Sequence, residues 1–235
     1  MHNVKSAKLS NPPCLVLFCK RPGLFHGKQR LAKTIGAPQS LIFARAFLEC
    51  ALEDAKAWPG PVVLSPSSEK DAVWAAGLLA REHRVLPQAG GNLGQRINAI
   101  DRQLREAGND RIIFIGSDAP ALQARHYAAA FRAINRAAVT LSRATDGGVV
   151  LMGSAAPWPD LSALPWSSKE LERALSALCR RHEYDVEYIA PGYDVDVEAD
   201  LARLRRDLIR DPRPARRRLF RHLDEFLSQE VRKYA

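Results

Sequence analysis

The sequence predicts an α/β protein built on a mainly parallel sheet. Two observations carry this. Its strand-like runs are short and apolar throughout, as in Cys14-Leu-Val-Leu-Phe-Cys19, the pattern of strands covered on both faces. Helical stretches separate them in units of about 30 residues, the spacing of crossover connections.

Residues 14–19 form the first strand, followed by a basic, glycine-containing loop and a helix over 39–57. A second strand at 62–64, a helix over 69–81 and a third strand at 84–86 come next. Leu93, Ile97, Ile100 and Leu104 recur at i, i+4, i+7 and i+11, so 92–106 is a helix with one apolar face. Residues 111–116 are the clearest strand, followed by a helix over 123–135 and strands at 138–141 and 149–152. Ser167-Ser-Lys-Glu170 has the form of a capping box and opens a helix to about 181. A last strand at 186–189 leads into a helix over 198–208.

The chain has 235 residues and a formal net charge of +9, which suggests a polyanion partner until the charge is located. Residues 203–221 hold nine arginines against two acids, whereas residues 1–202 hold 24 basic and 21 acidic residues. The body is almost balanced and the basicity belongs to the C-terminal end, so nucleic acid is not the expected partner of the body. Expected boundaries are an N-terminal tail over 1–13, one domain over 14–210 and a basic helical extension over 211–235. In that extension Leu219, Leu223, Phe226 and Leu227 make an apolar stripe, with Val231 one turn on. The preferred reading packs the stripe on the domain and leaves the arginines solvated; the alternative is a homodimer contact. No apolar run approaches the ~18 residues of a membrane span, and the polar start has no signal-peptide core. Four cysteines without a C-x-x-C pair fit a reducing cytoplasm and argue against a structural zinc site.

Ligands of open α/β sheets bind outside the carboxyl ends of the strands, so the segments there carry the chemistry. Lys20, Gly23, Gly27, Lys28 and Arg30 follow the first strand: glycines admit close backbone approach to an anion and the cations neutralise phosphate. This is not a Walker A loop, since Gln29 stands where Ser or Thr is needed. The phosphate reading is preferred over a solvated basic loop. Asp118, in Gly116-Ser-Asp-Ala-Pro120, either holds Mg²⁺ or caps the next turn. Asp146-Gly147-Gly148 reads locally as a hairpin turn, or else as a close backbone approach to a ligand with Asp146 as base. Asp194 and Asp196 fall on one side of an extended segment, a hard-metal pair unless Asp196 caps the following helix. Gln95 and Arg96 read a base, sugar or phosphate, or merely start a helix. Trp166 is the tryptophan expected at a ligand. Cys19 ends the first strand and reads as a small buried hydrophobe.

In order, the basic loop, G-N-L-G-Q-R, G-S-D-A-P, T-D-G-G, L-P-W-S and Y-D-V-D-V-E-A-D-L, over about residues 15–204, resemble one bacterial family. It comprises the glycosyltransferase-like proteins of the radical-SAM/selenodomain-associated transferase 1, or arsenosugar-biosynthesis, type. These are related to the 2-phospho-L-lactate guanylyltransferases and the nucleotide-diphospho-sugar transferase superfamily. The resemblance implies a glycosyltransferase-A-like three-layer sandwich with a mixed, mostly parallel sheet, a nucleotide or nucleotide-sugar substrate, a small-molecule acceptor, and Mg²⁺ or Mn²⁺. It implies that Lys28 and Arg30 bind phosphates and that Asp118 and Asp196 face the metal with Asp194 beside them. It puts Asp146, Gly147 and Gly148 near the sugar or acceptor. The chain departs from the family at Val149-Val150, where tyrosines are usual, at Ala119, usually cysteine, and at Val197-Glu198, usually Thr-Pro. Glycosyl transfer is the leading activity implied and nucleotidyl transfer with pyrophosphate release the second.

Overall fold

The computed structural model describes residues 11–24 and 27–233, with side chains as far as residue 229. Most of the expected tail, the loop residues Phe25 and His26, and the Val231 side chain lie outside these.

Seven strands form one sheet: β1 (Cys14–Cys19), β2 (Val62–Pro66), β3 (Arg84–Val85), β4 (Ile112–Gly116), β5 (Val139–Ala144), β6 (Val149–Ser154) and β7 (Val186–Gly192), in spatial order β3-β2-β1-β4-β6-β5-β7. Only β6 runs against the rest, pairing antiparallel with β4 and β5. The mixed, mostly parallel sheet is as expected. Alternation along β1 sends Leu15 and Leu17 to one face and Cys14 and Val16 to the other, each into its own core. Helices α2 (Ala37–Ala57), α3 (Ala72–Ala76) and α5 (Ala124–Ala133) cover the first face; α4 (Leu93–Glu106) and α6 (Leu171–Arg181) cover the second. That is the three-layer sandwich.

Several elements differ from expectation. The helix expected over 69–81 is a 3-10 turn (Glu69–Asp71) and the short α3, which ends at Gly77, whose N–H bonds to Trp74. The basic loop ends earlier than expected, because α1 (Gln29–Ile35) forms around the fully buried Leu31. The expected capping box does not form: α6 starts at Leu171, Ser167 has φ +64°, and Ser168 Oγ accepts from the Glu170 N–H instead. The first turn of α6 is pinned by Glu172 N–H donating to the Gly147 carbonyl at 3.0 Å.

The C-terminal segment is built into the molecule. Helix α8 (Pro214–Lys233) packs Leu219, Leu223 and Phe226 against Phe43 and Phe47 on the outer side of α2, with α7 (Glu198–Leu208) completing this third core. The stripe packs as expected, and Arg217, Arg218 and Arg221 are exposed as expected, but the reading is corrected for Arg213 and Arg216. Arg216 is fully buried, with Nη1 3.1 Å from Glu53 Oε2, Nη2 on Asp54, and Nε donating to the Pro120 carbonyl at 3.2 Å. Arg213 donates to Asp54 at 2.8 Å and to the Leu122 carbonyl at 2.8 Å. Tyr127 Oη supplies Asp54 with a third partner at 2.8 Å. These bonds tie α8 to the segment that follows Asp118.

Candidate active site

Strand β1 is where the sheet order reverses: the chain runs outward to β2 and β3, then returns to β4 on the other side. The crevice at such a reversal is where open α/β sheets bind ligands, and the segments leaving β1, β4, β5 and β7 meet there.

Lys28 occupies the centre. Gly27 and Lys28 are both left-handed, with φ of +75° and +46°. Glycine takes that conformation freely, whereas lysine is strained in it, a cost tolerated mostly at functional sites. The Lys28 side chain runs over Phe47, with Nζ 5.8 Å from the ring centroid. Its Nζ donates to the Val195 carbonyl at 2.7 Å and lies 3.0 Å from Asp118 Oδ2 and 3.1 Å from Asp196 Oδ1. Burial opposes the ammonium charge, but Asp118 and Asp196 outweigh it and raise the Lys28 pKa. Arg30 holds the other Asp196 oxygen at 2.7 Å. A backbone bond from Val195 N–H to the Asp118 carbonyl, 2.9 Å, locks the two acidic segments together. The cap considered for Asp196 belongs instead to Asp200, whose Oδ2 accepts from the N–H groups of Asp196 and Val197 at 2.9 and 3.0 Å.

Asp194 joins Asp118, Asp146 and Asp196 along the same wall. Burial, and next the charge of Asp118, push its carboxyl up to about 7, with Lys28 pulling the other way. Four carboxylates therefore share two nearby cations, Lys28 and Arg30. Among the described residues no three His, Cys, Asp or Glu side chains are already arranged around a metal position; the ammonium of Lys28 fills the gap between Asp118 and Asp196. The donors still suit a hard divalent cation, since Mg²⁺ usually takes one or two carboxylates and completes its shell with water and substrate phosphate.

The cleft has two lobes that share Asp118. One, about 260 Å³, is basic and contains Lys20, Arg21, Gly27, Lys28 and Arg96. Arg96 is aimed there by bonds to the Gly91 carbonyl, 2.9 Å, and Gln88 Oε1, 3.4 Å. The other, about 450 Å³, is lined by both apolar side chains and the carboxylates and includes Arg30, Asp146, Gly148 and Trp166. The hairpin turn expected between β5 and β6 does form, and it carries Asp146 into the cleft.

Three residues expected at a ligand have other contacts in the structure. Gln95 turns away to complete the α4 cap, its Oε1 accepting from Asn92 N–H at 2.9 Å while Asn92 Oδ1 accepts from Gln95 N–H at 3.1 Å. Gly23 faces a small recess against α2. Gly147 has φ +92° and packs on the Lys169 backbone, where a Cβ would lie 2.1 Å from the carbonyl oxygen, so it holds the turn rather than a ligand. Cys19 is buried, its thiol pushed up to about 12 by burial, and is not a nucleophile. Gln88 and Ser117 enter the basic lobe unforeseen. Gln88 was visible to the carboxyl-end rule, since it lies just past the third strand.

Gly94 makes the close approach that seats Trp166. A Cβ there would lie 2.1 Å from the Leu161 carbonyl oxygen, the same oxygen that accepts from Trp166 Nε1 at 2.9 Å. Gly94→Ala is expected to destabilise the fold by about 1–3 kcal/mol through overpacking. Chemical denaturation, with tryptophan fluorescence reporting the displaced indole, checks this.

The model of the family described as "Uncharacterized protein conserved in bacteria (DUF2064)" matches residues 48–168, just over half of the chain. The chain belongs to this family. The DUF2064 match includes Asp118, Asp146 and Trp166 but neither Lys28 nor Asp196, so the central ion-pair cluster joins the family segment to what lies on each side of it. Among solved structures, a protein of Desulfovibrio desulfuricans G20 described as a "putative nucleotide-diphospho-sugar transferase" shares 21% identity over 93% of this chain and 98% of its own, with a TM-score of 0.83. A 4-diphosphocytidyl-2C-methyl-D-erythritol synthase matches at 14% identity over 85% and 99%, TM-score 0.52. A cytidylyltransferase of Leptospira borgpetersenii matches at 12% over 93% and 96%, also TM-score 0.52. At these identities the likeness is one of fold, and it establishes the nucleotide-diphospho-sugar transferase architecture. A search of curated proteins gives no match. No helix among the described residues is long and apolar enough to cross a membrane.

Proposed function

We propose that the protein is a cytoplasmic, metal-dependent transferase that moves a sugar from a nucleotide-diphospho-sugar to a small-molecule acceptor, as the resemblance to the arsenosugar-type glycosyltransferases implies. The observation that carries this is Lys28, buried at the reversal of the sheet between Asp118 and Asp196, with a basic lobe on one side and an acidic one on the other. Lys20, Lys28 and Arg96 match the phosphates of a nucleotide, with Arg30 at the junction. Asp118 and Asp196, with Asp194 beside them, would hold Mg²⁺ or Mn²⁺. That ion supplies charge neutralisation to the leaving phosphate when bound.

The acceptor occupies the second lobe. Its hydroxyl oxygen bonds to the anomeric carbon, the bond from that carbon to the β-phosphate oxygen breaks with its electron pair, and nucleoside diphosphate departs. Asp146 takes the hydroxyl proton. Gly148 N–H donates to its Oδ1 at 3.1 Å and orients the carboxylate. Asp146→Asn is expected to lower turnover by about 10²–10⁴ while leaving nucleotide affinity nearly unchanged, as steady-state rates and calorimetry will read.

Nucleotidyl transfer is the second reading. It is favoured by the four cations of the basic lobe, Lys20, Arg21, Lys28 and Arg96, which suit a triphosphate, and by the cytidylyltransferases that share the fold. Incubation with Mg²⁺ and a panel of nucleotide sugars separates the two. Released nucleoside diphosphate supports glycosyl transfer; pyrophosphate released from nucleoside triphosphates and phosphorylated acceptors overturns it.

A further inference from the structure

We infer that the acceptor is a neutral alcohol with an apolar, aryl or alkyl body, bound in the larger lobe; this deepens the reading above and rests on it. Much of the lobe's lining is hydrocarbon: Phe18, Phe114, Val149, Met152 and the Trp166 ring belong to it. Phe18 and Phe114 stack edge to face with centroids 5.6 Å apart, a rigid floor. Two of the polar groups along this lining are engaged, while the Ser167 hydroxyl stays exposed beside them. Trp166 Nε1 donates to Leu161 O at 2.9 Å, and Ser168 Oγ accepts from Glu170 N–H at 3.2 Å. A ligand against these side chains meets ring faces and methyl groups, which reward apolar area.

The carboxylates of the same lobe bear on the charge of its occupant. Asp118, Asp146, Asp194 and Asp196 line the lobe. Arg30 is there too, but Asp196 holds it at 2.7 Å. Lys169 lines the rim and is exposed. An anionic acceptor brings its charge up to the Asp146 carboxylate, whereas an alcohol presents its hydroxyl to Asp146 and its body to the aromatic side chains. The volume, about 450 Å³, has room for a ring-sized body beside a sugar. Val149 and Val150 add methyl groups and no hydroxyl to this lobe.

Ligand-observed NMR and calorimetry test this on the full chain with Mg²⁺, using three probes: 2-naphthylmethanol, 2-naphthylmethyl phosphate and glucose. The alcohol is expected to bind at least tenfold tighter than either of the others. Val149→Asn, a polar substitution of similar size on the half-buried edge of β6, is expected to weaken it about fivefold or more without changing nucleotide affinity. No saturable binding of the alcohol, equal or tighter binding of the phosphate or of glucose, or indifference to Val149→Asn overturns the inference. Nucleotide titration of the same samples keeps the two readings apart: a chain that binds the alcohol but no nucleotide fails the transferase reading and not the apolar lobe.

Discussion

Arg216→Met is expected to lower the unfolding free energy by about 3–5 kcal/mol, the usual cost of removing one partner from a buried ion pair. Arg216 is fully buried, and its guanidinium meets Asp54, Glu53 and the carbonyls of Cys50 and Pro120. Burial alone already raises the Asp54 carboxyl despite its two arginines. Without Arg216 the Asp54 carboxylate retains Arg213 and Tyr127 but loses its deepest counter-charge. Urea denaturation of Arg216→Met and of the double variant Arg216→Met/Asp54→Asn reads the effect; the second substitution should recover a substantial part of the loss. For the same reason, deletion of 212–235 does not simply strip basic charge from an intact body. It removes Leu219, Leu223 and Phe226 from the third core and leaves Asp54 without both arginines. Equal stability of wild type and Arg216→Met would show that the pair contributes nothing.

Lys28→Met is expected to move two affinities in opposite directions. Its ammonium lies 3.0 Å from Asp118 and 3.1 Å from Asp196, so it competes with any cation for those oxygens. Charge-assisted bonds of this kind are worth about 1.5–3 kcal/mol, which converts to roughly ten- to a hundredfold in affinity. Mn²⁺ binding without nucleotide should tighten by about that factor, and nucleotide binding should weaken by a similar one as the phosphates lose their buried cation. The variant is expected to fold, because both carboxylates stay partly in water, at 49% and 31% side-chain exposure. Electron paramagnetic resonance of free Mn²⁺ reads the first affinity and calorimetry the second. Weaker or unchanged Mn²⁺ binding would mean that Lys28 assists the ion rather than displacing it.

What was legible in the sequence follows from what is local. The buried strands announced themselves because both faces of Cys14–Cys19 and Ile112–Gly116 are covered, leaving no polar position to blur the run. Strands β5 and β7 extend past their expected ends because Ser142 and Pro191 read as non-strand, although Ser142 Oγ finds the Ala190 carbonyl at 2.7 Å and its burial is satisfied. The site was legible as a set of strand ends, since parallel strands deliver their carboxyl termini to one edge. What connects those ends was not. The contacts of Lys28 with Asp118 and Asp196, and of Arg216 with Asp54, join residues far apart in the chain. An arginine in a run of arginines reads as solvated until its buried carboxylate is placed beside it. Gln95 stayed ambiguous in the sequence because one side chain type serves both caps and ligands, and in the structure it caps α4 with Asn92.

The central claim is that Asp118 and Asp196 hold a divalent ion against nucleotide phosphates bound in the basic lobe. Titration of Mn²⁺ into the protein with uridine, guanosine and cytidine diphosphates, followed by electron paramagnetic resonance for wild type and Asp118→Asn, tests it most directly. The wild type should take up Mn²⁺ at least tenfold more tightly with one of these nucleotides than without, and Asp118→Asn should lose that gain. Uptake that no nucleotide enhances, or an enhancement that survives Asp118→Asn, would contradict the assignment.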